Sequence, residues 1–77
     1  MKFQTEEELL ITIGKNVKAI RKKANLTQSM LCEIAGISLS YLTKIEAPRT
    51  HKSVSLPLLN QIANALNVDI TEFFKTD

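Results

Sequence analysis

Leu39, Ser40, Thr43 and Lys44 fall within six residues, and their types suit recognition better than catalysis. At about 100° per residue, a helix here turns Ser40, Thr43 and Ala47 to one side, flanked by Leu39 and Lys44. Tyr41, Leu42 and Ile45 turn to the other. Such a helix buries one stripe and offers hydroxyls, an ammonium and an isobutyl group on the opposite side. The major groove of duplex DNA displays matching groups, namely hydrogen-bonding base edges and the methyl of thymine. Beyond the helix, Arg49 and Lys52 lie in the polar segment 48–54, where two cations could grip phosphates.

Catalytic combinations are missing from the sequence. There is no Ser/His/Asp or Cys/His set, no glycine-rich phosphate loop and no paired metal ligands. His51 is the single histidine and Cys32 the single cysteine, which leaves neither an internal disulfide nor a cysteine zinc cluster. We therefore expect no enzyme, no metal and no cofactor. Tyr41 is the one aromatic residue in the basic middle of the chain, too few for a platform that stacks single-stranded bases.

The net charge of +2 conceals an asymmetry. Residues 9–68 carry eight bases against Glu33 and Glu46, a balance of +6, while the two ends balance at −4. A basic middle that coincides with the recognition residues is the electrostatic footprint expected for a polyanion. A solvated charged face explains the charge alone equally well. Glu6 to Glu8 interrupt any early apolar run, so no signal peptide is expected, and no apolar stretch approaches the roughly 18 residues of a membrane span.

The elements that must position these residues are all helical. Thr27 caps a short helix over Gln28–Ala35, and Gly36 supplies a corner. Ser38 caps a second helix over Leu39–Glu46, which Ala47-Pro48 ends. Two short helices around a glycine turn are the outline of a helix-turn-helix at 27–46. Cys32 stands where the two helices approach closely and a small side chain is needed. Upstream, Thr5-Glu6-Glu7-Glu8 reads as a capping box, and Leu10, Ile13, Val17, Ile20 and Ala24 follow at helical spacing. Gly14 weakens that helix by roughly 1 kcal/mol relative to Ala, which leaves open a later start with Thr12 as cap. Asn25 suits the left-handed residue that ends it. Downstream, Ser55 caps a helix that carries Leu58, Leu59, Ile62, Ala65 and Leu66 and stops at Asn67. Asp69 caps a last one over Ile70–Phe74, and the apolar Val68, Ile70, Phe73 and Phe74 either complete the core or form a dimer contact. Arg21 lies beside the apolar stripe of the first helix, and Glu46 borders that of the recognition helix. If the two helices cross, the two charges can form a partly buried pair.

Together these pieces resemble the phage repressor/Cro-type helix-turn-helix family. The matching residues are Ile20-Arg21-Lys22-Lys23, Leu26-Thr27-Gln28, Leu31-Cys32, Gly36-Ile37-Ser38, Ser40-Tyr41-Leu42, Lys44-Ile45-Glu46, Leu59, Ile62-Ala63, Ala65-Leu66 and Val68. The resemblance covers about residues 12–74, with 1–11 as an N-terminal extension of a single domain. It implies a compact, all-α, five-helix lambda-repressor-like fold. It implies that Thr27 and Gln28 approach phosphate, that Leu39, Ser40, Thr43 and Lys44 face bases or nearby phosphates, and that Arg21 and Glu46 form the internal ion pair. It also implies a homodimer on an inverted repeat. Three departures stand out: Cys32 in place of the common Ala, Ala47-Pro48 after the glutamate, and Leu39 where many members carry Arg, Gln or Lys. With few bidentate base readers, specificity is expected to lean on DNA shape and the loop cations as well.

The expectation is a cytoplasmic, nucleoid-associated transcriptional regulator, a repressor or controller, that binds double-stranded DNA. No small-molecule effector is evident. The alternative is a protein-interaction module, such as an antitoxin or coactivator, that binds a regulatory protein partner.

Overall fold

The computed structural model describes residues 2, 3, 5–47 and 54–76. Helix α1 spans Glu6–Lys23, α2 Gln28–Ala35, α3 Leu39–Glu46 and α4 Leu56–Leu66, and a 3-10 turn covers Ile70–Phe74. The starts are set by capping side chains. Hydroxyl oxygens of Thr5, Thr27, Ser38 and Ser55 each accept the backbone N–H three residues on, at 3.0–3.2 Å. Each bond satisfies one of the amides that a helix leaves orphaned at its first turn.

Three of the four α-helices also end alike. Asn25, Gly36 and Asn67 take left-handed backbone, with φ of 62°, 72° and 56°. The next residue then donates its N–H back across the turn: Leu26 to Arg21 at 3.2 Å, Ile37 to Cys32 at 3.1 Å, and Val68 to Ala63 at 3.0 Å. The three donors are apolar, and each packs against the core. A single motif thus stops the helix and directs the chain inward.

The core draws on every element. Val17, Leu31, Leu42, Leu59, Ile62 and Phe73 are the largest fully buried side chains. α1 packs across α3 and the 3-10 turn, and α2 packs against α3 and α4. Phe73 is buried, while Val68, Ile70 and Phe74 are half-buried against the core, so this apolar tail completes the interior. Two side-chain amides fasten distant segments. Asn16 Nδ2 donates to the carbonyls of Phe73 and Lys75, both at 2.8 Å. Gln61 Nε2 donates to the carbonyl of Ala35 at 3.2 Å, near the end of α2.

Two expectations are corrected. The five helices are four α-helices and a terminal 3-10 turn. Five residues are too few for the cooperative α ladder. The segment closes instead with an i to i+3 bond from Glu72 N–H to Asp69 C=O at 2.9 Å. The later start at Thr12 is also overturned, because α1 runs unbroken from Glu6 and Thr5 caps it. Residues 6–11 are accordingly its first turns, and Leu9 and Leu10 are half-buried. Gly14 is retained in mid-helix for a packing reason. A Cβ there would overlap the carbonyl oxygen of Ile45 and sit 3.4 Å from its carbonyl carbon.

Candidate nucleic-acid interface

α3 owes its two-sidedness to its sequence. Leu42 and Ile45 turn inward and are buried, and Tyr41 is half-buried beside them. Leu39, Ser40, Thr43 and Lys44 turn outward and are exposed. Leu39 keeps 46% of its surface open, a large value for a leucine on a helix whose other leucine is fully buried. Thr43 Oγ1 donates to the carbonyl of Ser40 at 2.9 Å. Its hydroxyl proton is therefore engaged within the helix, and the side chain offers a methyl and acceptor lone pairs outward. Ala47, expected on the outward side, is half-buried just past the helix end.

The inward edge of α3 ends on a buried ion pair. Arg21 Nε and Nη2 donate to Glu46 Oε2 and Oε1, each at 2.8 Å. Only 7% of Arg21 and 8% of Glu46 is exposed, so the two-pronged geometry operates in a poorly solvated place. Arg21 Nη1 donates to the Leu26 carbonyl at 2.8 Å, and Gln28 Nε2 donates to Glu46 Oε1 at 3.1 Å. The end of α1, the start of α2 and the end of α3 thus meet at one carboxylate, and the α1–α2 corner is tied in through the guanidinium. These bonds to Glu46 raise the pKa of the guanidinium above its ordinary value, against the opposing effect of burial.

The first turn of α2 adjoins this network. Thr27 is exposed, and its hydroxyl accepts the Met30 N–H. Gln28 is half-buried, and its amide is committed to Glu46. Cys32 is buried behind the helix-turn-helix, where its thiol donates to the Ser38 carbonyl at 3.6 Å. Burial pushes the pKa of that thiol up. Arg49, His51 and Lys52 lie outside the described residues.

No group of three or more His, Cys, Asp or Glu side chains stands close enough to hold a metal ion among the described residues. No described helix is long and apolar enough to cross a membrane.

The reading of the residues found α3, its outward side and the Arg21–Glu46 neighbourhood. It missed the role of Gln28 inside the network and that of Gly14 against the end of α3. Gly14 and Arg21 are seven residues apart, about two helical turns, and that spacing is the signal that places both on one side of α1.

A family model described as helix-turn-helix matches residues 17–73. The immunity repressor protein of Bacillus phage phi105 is 43% identical over 61 residues, which cover 79% of this chain and 41% of the phage protein. The control protein C.SmaI of Serratia marcescens is 34% identical over 58 residues, covering 75% of this chain and 67% of that protein. Among solved structures, the restriction-modification controller protein C.AhdI from Aeromonas hydrophila superimposes with a TM-score of 0.78 at 28% identity. That match covers 84% of this chain and 96% of the controller. The chain thus spans about two fifths of the length of the phage repressor, but most of each controller.

Proposed function

This chain belongs to the helix-turn-helix family, and on that footing we propose that it is a sequence-specific transcriptional regulator of double-stranded DNA. The observation that carries the reading is the division of α3, whose inward side is buried while Leu39, Ser40, Thr43 and Lys44 stand exposed together. α3 enters the major groove, and these four side chains face base edges and adjacent phosphates. Thr27 and Gln28 approach the backbone at the start of α2, and Arg49 and Lys52 add phosphate contacts from the segment that follows α3. Similarity to a phage repressor and to control proteins supports a role in occupying promoter DNA.

The regulator acts as a homodimer on an inverted repeat. Two α3 helices then reach successive major grooves about 34 Å apart and block or recruit polymerase. Leu39 presents an apolar group suited to a thymine methyl, and Lys44 a donor suited to guanine. Its place of action is the cytoplasm, in association with the nucleoid. The direct test is selection from a random duplex library at two salt concentrations. Recovery of an inverted repeat supports the reading, and the spacing of its halves measures the dimer. Binding that enriches no motif and vanishes with salt reduces the chain to a phosphate binder and overturns it.

A second reading, a surface for a regulatory protein partner, is favoured by Met30 and Ile34. They lie one turn apart on α2 and are 45% and 59% exposed. Ser40→Ala with Lys44→Ala separates the two readings, since it removes preference for the selected DNA and spares a protein bridge.

A further inference from the structure

Among the described residues, α3 is the one α-helix without a left-handed residue and a returning amide at its end. α1, α2 and α4 each stop at a left-handed residue with an amide folded back over the last turn. At the end of α3, Ala47 is extended, with φ −69° and ψ 135°. Among the described residues no amide folds back onto the last carbonyls of α3. The sequence accounts for this difference. Pro48 follows, which biases Ala47 to extended backbone and has no N–H to return.

The last turn of α3 is held from outside instead, by α1. Gly14 lets the α1 backbone lie directly against the Ile45 carbonyl, with the Glu46 Cα 3.7 Å from where a Cβ would stand. Two turns further along, Arg21 forks onto the Glu46 carboxylate at 2.8 Å. Between the two contacts lies Val17, fully buried. One contact sets how deeply α3 sits, because backbone meets backbone there and no flexible side chain can give way. The other sets its rotation, because a planar fork accepts a carboxylate in one orientation.

We propose that Gly14, together with Arg21, forms a seat on α1 that fixes the pose of α3, and that Gly14 is thereby a specificity-determining position although it touches no DNA. The inference rests on the reading of α3 as the helix that enters the groove. Attraction to phosphates tolerates displacement of a helix, whereas hydrogen bonds and methyl contacts at base edges do not. A methyl added at position 14 pushes the end of α3 outward. The exposed residues remain the same, but their register on the bases is lost.

The test compares wild type, Gly14→Ala and Ile62→Val on two duplexes, one recovered by selection with the wild-type protein and one scrambled. Ile62→Val is a mild core destabilisation in α4 that leaves the seat untouched. Fluorescence anisotropy at fixed low salt gives the ratio of the two affinities. The seat predicts that Gly14→Ala lowers this ratio by about tenfold or more, the loss expected from one mismatched base pair, with scrambled-duplex affinity retained. Ile62→Val keeps the wild-type ratio. If Gly14→Ala proves unfolded by circular dichroism, Arg21→Lys, which keeps the charge and removes the fork, decides in its place with the same expected fall. Equal ratios for the seat variant and Ile62→Val overturn the seat and leave the regulator reading standing. If the wild-type protein enriches no motif at all, the regulator reading and the seat both fall.

Discussion

The two sides of α3 obey different rules. On the inward side, Leu42 and Ile45 are buried in the core, and Glu46 is bound by Arg21 and Gln28. A change there removes packing or strands a charge, and its cost is paid in stability. On the outward side, Leu39, Ser40, Thr43 and Lys44 are exposed. A change there removes little buried surface and acts chiefly on what the helix can bind. Eight residues therefore separate into a half that sets where the helix stands and a half that sets what it reads.

Glu46→Ala should break the inward half most severely. Arg21 is then left buried with half of its partners gone, at a cost of about 3–5 kcal/mol. Urea denaturation measures the loss, and retention of stability within about 1 kcal/mol would show that solvent reaches the guanidinium. Leu42→Ala, at a fully buried position, should cost about 2–5 kcal/mol in the same assay. Its folded fraction should still prefer the selected duplex.

The outward half makes the opposite forecast. Lys44→Ala should leave unfolding within about 0.5 kcal/mol of wild type and weaken specific DNA binding by about 1–3 kcal/mol. Leu39→Ala should have a smaller effect on affinity, near 1 kcal/mol for the lost methyl contact. Replacing thymine by deoxyuridine in the selected site should weaken wild type at one position and leave Leu39→Ala indifferent there. A loss spread evenly over every replaced thymine would argue against a contact made by Leu39.

A position off both sides gives the smallest effect. Asp69 accepts the Thr71 N–H at 2.9 Å and the Thr71 hydroxyl at 2.8 Å. These bonds hold its carboxyl below the usual carboxylate range, the backbone one foremost. The cap therefore contributes fully above the ordinary aspartate pKa of about 3.9 and is lost as pH falls through the lower folded value. Asp69→Asn should flatten that acid limb of the stability profile and leave DNA specificity unchanged.

The pattern also explains what could be read from the chain. Thr5, Thr27, Ser38, Ser55 and Asp69 act on amides two or three residues away, and Asn25, Gly36 and Asn67 act within one turn. Their partners are neighbours in the sequence, so residue type and position suffice to find them. The placement of Arg21 beside Glu46 was legible because each charge borders an apolar stripe, and the region holds almost no other acid. Gly14, Asn16 and Gln61 were not legible in this way. Asn16 meets Phe73 and Lys75, and Gln61 meets Ala35, only after the helices are packed. Taken locally, Gly14 is a flaw in a helix, and only the crossing with α3 makes it necessary. The last helix is 3-10 rather than α because capping and apolar spacing mark a start, while only length decides whether an α ladder can form.

The central claim is that the outward side of α3 reads DNA while the buried inward side carries the stability of the helix's place in the fold. Its most direct test is the double variant Ser40→Ala with Lys44→Ala, compared with wild type in urea unfolding and on selected and scrambled duplexes. The account predicts unfolding free energies that agree within about 0.5 kcal/mol, together with a selected-duplex affinity reduced to that of the scrambled one. A double variant that is equally stable and still prefers the selected duplex as wild type does would contradict it.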